Sequence, residues 1–303
     1  MKVFYISLCL SSFSLYSQNI LICDSLTKKP IQFANIKSEE EGFYADLNGI
    51  AVLPPDSQVY TISHISYHPK KIESNKILDT IFLLERTITL EEIIVKNDRI
   101  ETFKFGFKKR DNRIASIPLT PKHEIIMEIK PTFKFKELKI CTIEIPLNKI
   151  KHYNVTDKKI KNKASVFRIN IYAKINEKLE LIYQSKFREF IMSKREKINF
   201  DLLKENLIIR ENKYFVSLEM IGNIDPSGNL VGDDEYIRPI ITSETDENYE
   251  SKTFLKSSFN NNIADLHELN EFNKPLSESF KNYKERNLNL SIGIVVEINK
   301  SNL

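Results

Sequence analysis

Apolar and polar side chains alternate along much of the chain with a period of two. In 165–174, Phe167, Ile169, Ile171 and Ala173 alternate with Val166, Arg168, Asn170 and Tyr172. A strand sends successive side chains to opposite faces, so this segment predicts a strand with Phe167, Ile169 and Ile171 in a core. Phe103, Phe105 and Phe107 alternate with Lys104, Gly106 and Lys108 in the same way. Further β-like runs cover 125–129, 138–145, 179–183, 195–201, 214–220 and 288–298. Shorter runs precede them at 19–23, 31–37, 42–46, 50–53, 60–67, 79–84 and 93–96. Asn48-Gly49 is a strong hairpin signal because both residues tolerate positive φ, so 42–53 reads as a hairpin. Residues 202–206 and 280–286 fit brief helical turns. The stretch 221–251 carries Pro, Gly, Asp and Asn and reads as loop-rich.

These elements predict an all-β chain of two β-sandwich domains after a cleavable signal peptide. A length of 303 residues suits two domains. Met1 and Lys2 form a short positive start, and 3–15 is apolar with small hydroxyl residues. That run is about 13 residues, against the ~20 needed to cross a bilayer. Ser17 is a small residue suited to cleavage, so 1–18 is assigned to the export signal. Residues 19–97 then form the first sandwich and 98–303 the second, with a loop-rich insert. The polar stretch 97–101 is the expected linker. No later run is long and apolar enough for a transmembrane segment. Cys23 follows Leu21 and Ile22 and lies too far on for a lipid anchor.

Composition narrows the classes. The chain has 19 Phe and 12 Tyr but only 7 Gly and no Trp, which favours pleated, half-buried surfaces. Charge is nearly balanced, with 45 basic and 41 acidic residues. The run Lys108-Lys109-Arg110 fits a solvated strand end, and nothing resembles a nucleic-acid footprint. Cys9 leaves with the signal. Cys23 and Cys141 remain, too few for a disulfide scaffold.

The first module resembles the carboxypeptidase regulatory-like family, a small transthyretin-like β-sandwich. Asp24, Thr27, Pro30, Ile31, Ala34, Asn35 and Ile36 stand where that family opens with a strand, a turn and a second strand. Gly42, Asp46, Asn48 and Gly49 match its hairpin, and Ile62, Ser63, Ile65, Ser66 and Tyr67 its next strand, with Ser66 in place of a common Gly. Leu90, Glu92, Ile93, Ile94 and Val95 match its last strand. The resemblance implies a folding or docking module without a peptidase site. Residues 166–172, 198–202 and 214–219 look like the C-terminal region of similar exported proteins of Gram-negative bacteria.

No known chemical motif emerges. The histidines are His64, His68, His123, His152 and His267. His64 and His68 are four apart, but 60–67 reads as a strand, where four residues span about 13 Å, too far for one zinc ion. No G-x-S-x-G elbow or phosphate loop occurs. Glu39-Glu40-Glu41 reads as a solvated loop. Asp225, Asp233, Asp234 and Glu235 lie in the loop 223–235, whose oxygens suggest calcium without the EF-hand spacing. An outward Tyr172 is a possible glycan contact beside Arg168. Glu219 and Asp201 are the acids an enzyme reading would use. No catalytic, cofactor-binding or metal residue is therefore assigned, and no cofactor. The expected function is a non-catalytic exported envelope protein, a binding or scaffold module for an envelope protein or glycan partner. The alternatives are a secreted hydrolase with its site in the second domain, or an accessory factor for an outer-membrane system.

Overall fold

The structure, a computed structural model, describes residues 18–39, 41–54, 57–86, 100–106, 113–148, 164–190, 196–231, 237–242, 246–271 and 288–299. The fold is all-β. Residues 18–86 build two small sheets. In the first, β1 (Gln18–Asp24) lies between β4 (Ile50–Leu53), antiparallel, and β7 (Thr80–Leu83), parallel. The second runs β3 (Gly42–Tyr44), β2 (Asn35–Lys37), β5 (Val59–His64), β6 (Tyr67–Glu73). Ile20, Ile22, Ala51, Leu53, Ile81 and Leu83 meet Ile36, Tyr60 and Ile62 in a buried core between the sheets.

Three local expectations change here. The run 31–37 is a strand only from Asn35, because Phe33 takes a φ of 51°, outside the β region. Asn48-Gly49 does turn the chain, with Gly49 at a φ of 75°. However, β3 and β4 join different sheets, so the turn is a corner and not a hairpin loop. A Cβ on Gly49 would lie 2.9 Å from the Ile22 carbonyl oxygen and 3.0 Å from the Pro30 Cβ. The run 60–67 divides into β5 and β6 around Ile65-Ser66, placing His64 opposite Tyr67.

The remaining strands pack two larger sheets. One is ordered β13 (Lys178–Gln184), β12 (Ala164–Ile175), β17 (Tyr214–Ile224), β10 (His123–Pro131), β20 (Tyr249–Ser257), β21 (His267–Glu268). β14 (Arg188–Phe190) joins β12, and β18 (Leu230–Val231) joins β17. The other is ordered β15 (Glu196–Asp201), β11 (Leu138–Leu147), β23 (Gly293–Asn299), β8 (Ile100–Phe105), with β16 (Leu207–Ile209) on β11. A small sheet of β22 (Asn289–Leu290), β19 (Ile240–Thr242) and β9 (Arg113–Ser116) completes the set. Phe167, Ile169 and Ile171, placed in a core by the alternation of 165–174, join Val216 and Leu218 and meet Ile140, Ile143, Ile145, Ile294 and Val296 in the main core.

The stretch 221–251 holds more sheet than its composition suggested: β17 runs on to Ile224, and β18, β19 and the start of β20 follow. Ile100 and Glu101 of the expected linker pair with β23. A 3-10 turn at Leu203–Glu205 matches the helical turn expected there. Gln18 opens β1 opposite Leu53, inside the stretch assigned to the signal. The rest of that signal, the 97/98 boundary, and the elements expected at 93–96 and 280–286 lie outside the described residues.

Among the described residues, the main core holds a polar misfit. Tyr214 is fully buried, and its hydroxyl has no hydrogen-bond partner among the described residues. A buried unpaired hydroxyl loses its hydration without return. Tyr214→Phe is therefore expected to leave stability unchanged or raise it by about 1 kcal/mol. A urea midpoint that falls in that variant would mean the hydroxyl has a partner.

Candidate functional site at the junction of the two units

Strand register sets four charges in one row across the large sheet. Arg168 of β12 lies opposite Glu219 of β17, Glu219 opposite Glu124 of β10, and Glu124 opposite Lys256 of β20. The row reads plus, minus, minus, plus. It sits on the sheet face turned away from the main core, yet its members are only 1% to 3% exposed. The sequence expectation of an outward Tyr172 is corrected here: Tyr172 is also 3% exposed, because this face is covered.

Two covers close it. On the Arg168 side, Phe33 and Tyr44 of the N-terminal unit pack on Val166, Ile221 and Ile224. The Phe33 ring meets Phe187 edge-on, with centroids 4.8 Å apart. On the Lys256 side, Ile263 and Leu266 pack on Tyr172, Phe215 and Ile126. The left-handed turn at Phe33 takes that side chain out of the local core and into the junction. Backbone and amide contacts reinforce it: Leu47 N–H donates to the Gly228 carbonyl at 3.1 Å, and Asn48 Nδ2 donates to the Ser227 carbonyl at 3.1 Å.

Every charge in the row has partners. Glu219 accepts from Arg168 Nε at 2.6 Å and Nη2 at 3.1 Å, from Asn170 Nδ2 at 2.7 Å, and from the Tyr44 hydroxyl. Arg168 Nη2 also donates to Asn35 Oδ1 at 2.9 Å. Glu124 accepts from Lys256 Nζ at 2.8 Å, Ser217 Oγ at 2.7 Å and the Tyr172 hydroxyl at 2.9 Å. Lys256 Nζ donates further to the carbonyls of Ser257 and Asn260, both at 3.2 Å. The N-terminal unit thus supplies two ligands to the Arg168–Glu219 pair, Tyr44 and Asn35.

The electrostatics follow from this geometry. Burial works against the Glu219 carboxylate, but Arg168 and the donors around it hold its pKa below the ordinary value. Burial also opposes the Arg168 charge, and Glu219 overcomes that to hold the guanidinium protonated. Burial and then Glu219 push Tyr44 well up, and burial and then Glu124 do the same to Tyr172. His64, half-buried at the end of β5, is lowered to about 4 by burial and then by Arg168. An ionised carboxylate with its lone pairs occupied and no open water is a structural anchor, poorly suited to general acid catalysis.

The other residues singled out in the sequence do not converge here. Asp201 ends β15 in the other large sheet, exposed, where Oδ1 accepts the Leu203 N–H at 3.1 Å. Glu219 and Asp201 therefore do not form a pair. His123 Nδ1 lies 3.0 Å from Thr120 Oγ1, and His68 sits in β6. His152 lies outside the described residues, as do Asp233, Asp234 and Glu235. Asp225 caps its own turn, accepting the N–H groups of Ser227 and Asn229 at 2.8 and 3.0 Å. No group of three or more potential metal ligands occurs among the described residues. Cys23 and Cys141 are buried free thiols, and burial, then Glu297, raises Cys141 to about 11.

Beside the junction lies an open cleft of about 630 Å³. Ile50 and Val52 of β4, Phe43 and Tyr44 of β3, and Ile221 and Leu230 line it. Asn19, Glu41, Lys122 and Asn229 supply polar groups at its surface. The sequence pointed to Glu219 and Arg168, and to Asn35 only as part of the family pattern, but not to Glu124, Lys256 or Tyr44. One signal was present: Glu219 is the lone charge in the 11-residue strand 214–224, whose residues are all buried.

No protein-family profile matches the chain, and no curated protein does. Several solved structures align with most of the chain at low identity and low TM-score. The cysteine protease and lectin-like domains of Cwp84, a surface-layer-associated protein of Clostridium difficile, align at 9% identity and a TM-score of 0.33 over 82% of this chain and 48% of that one. A second Cwp84 structure, after propeptide cleavage, aligns at 10% identity and 0.36, over 82% and 54%. The infectious bursal disease virus Gx strain structure aligns at 9% and 0.23, over 88% and 57%. The chain spans about half the length of these structures. No helix among the described residues is long and apolar enough to cross a membrane.

Proposed function

We propose that this chain is a non-catalytic binding or scaffold protein exported to the cell envelope. The observation that carries the reading is the state of its buried acids. Glu219 and Glu124, the only buried carboxylates in the large sheet among the described residues, are each paired with a cation and held by further donors. Their arrangement ties the Arg168–Glu219 pair to Tyr44 and Asn35 of the N-terminal unit and occupies both carboxylates with donors. The apolar start of the chain and the resemblance of its first module to carboxypeptidase regulatory-like domains support export and a docking role.

The cleft beside Tyr44 is the proposed contact point for an envelope protein or glycan. Its volume lies within the ~300–1,000 Å³ usual for ligand sites, which favour such interfaces. Asn229→Trp should obstruct it from an exposed position. The test is binding of the purified chain to isolated envelope proteins and cell-wall glycans by surface plasmon resonance. Expected is saturable binding to one of them, weakened at least tenfold in the variant. Hydrolysis of a glycan or peptide substrate that Glu219→Gln abolishes without unfolding the protein would replace this reading with the enzyme one.

A further inference from the structure

The two sheets of the N-terminal unit are tied together on one side and part on the other. On the tied side, His68 N–H of β6 donates to the Leu84 carbonyl, just past β7, at 2.9 Å. Lys70 Nζ donates to the Phe82 carbonyl at 3.3 Å. β6 also carries Pro69, Lys70 and Lys71, residue types that keep an edge strand from pairing further. On the other side, β3 and β4 each end their sheet. Neither strand holds a charged residue or a proline.

Hydrogen-bond parity defines what these two edges offer. An antiparallel strand turns its backbone groups toward one neighbour at alternate residues and to the opposite side in between. Ala45 N–H donates to the Ala34 carbonyl, and Ile22 N–H to the Gly49 carbonyl. Tyr44 therefore turns its N–H and C=O away from β2, and Val52 turns its own away from β1. Asp46 and Ile50 share that parity, and Asp46 N–H donates to the Ile50 carbonyl at 2.8 Å across the corner. Past this bond the strands part into different sheets. Among the described residues, no backbone hydrogen bond pairs the N–H or C=O of Tyr44 and Val52 on that side. Both residues line the cleft, as does Leu230 of β18.

We propose that the cleft takes an extended polypeptide segment of a partner protein, added as a strand to the open edges of β3 and β4. The assignment rests on the cleft being the contact point proposed above and names the chemistry of its occupant. Backbone donors and acceptors along an edge are matched by another extended backbone, which gives affinity, while alternate side chains give specificity. A glycan offers no such ladder. Ile50 and Val52, 40% and 55% exposed, provide apolar side chains for the added strand to pack on.

The probe is a displayed library of random octapeptides, selected on the purified chain, with the tightest binder resynthesised. Fluorescence polarisation should give a dissociation constant below about 100 μM. The same peptide N-methylated at every residue should bind at least tenfold more weakly. The Tyr44 and Val52 amides should exchange at least tenfold more slowly in the complex, and Asn229→Trp should weaken the parent peptide at least tenfold. Equal binding of the methylated peptide, or unchanged exchange at both amides, would overturn strand addition while leaving the cleft as a contact point. Saturable glycan binding that Asn229→Trp weakens, with no peptide bound below about 100 μM, would do the same. Peptide binding untouched by Asn229→Trp would overturn both readings.

Discussion

Arg168→Met is expected to lower the free energy of unfolding by about 3–5 kcal/mol, the usual cost of leaving one partner of a buried ion pair alone. Met keeps much of the side-chain volume, so the loss reports the missing charge more than a cavity. Glu219 would stay in the same buried place, with only Asn170 and Tyr44 left to hold its carboxylate. Adding Glu219→Met should recover at least half of the loss, because two apolar groups on a buried sheet face cost little. Guanidinium unfolding of the three variants measures both effects. Since Tyr44 and Asn35 reach this pair from the N-terminal unit, Arg168→Met should also loosen that unit, read as faster amide exchange in β2 and β3. A loss below about 1 kcal/mol would mean that water reaches the pair.

Stability is expected to fall as pH drops from about 6.5 to 4, by about 2–3 kcal/mol, through His64. An unfolded histidine takes up a proton near 6.5, whereas burial and the neighbouring Arg168 hold folded His64 at about 4. Between those values the unfolded chain binds more protons, so acid favours it. Above 6.5 His64 contributes no slope. Glu219 acts in a lower window: its depressed pKa adds stability present above the ordinary carboxylate range and lost as pH falls below it. His64→Gln should therefore flatten the urea midpoint between pH 6.5 and 4.5 while leaving the steeper loss below pH 4 in place. An unchanged slope in that variant would assign the acid sensitivity to other groups.

Most strands were legible in the chain itself. Apolar β-like runs placed β10, β11, β13 and β17, and period-two alternation placed β12 and put Phe167, Ile169 and Ile171 on the core side. It also put Arg168, Asn170 and Tyr172 together on the other side. Hidden from it was the state of that other side, which alternation alone reads as wet. The pairing Asn48-Gly49 gave the turn, but two sheets claim its arms, and no local signal distinguishes a corner from a hairpin loop.

The junction shows where the division falls. Strand period and turn chemistry are properties of neighbouring residues, so the sequence by itself determined an all-β chain and, in 165–174, the face on which each side chain stands. Whether a face is buried depends on what arrives from far along the chain. Asn35 is 133 residues from Arg168, and Tyr44 is 175 residues from Glu219. Only the tertiary structure brought them together, and only that cover removes the water that would otherwise solvate four charges. Burial then turned a polar stripe into a paired, hydrogen-bonded lock between the two units, because a charge without water must find its partners within the protein.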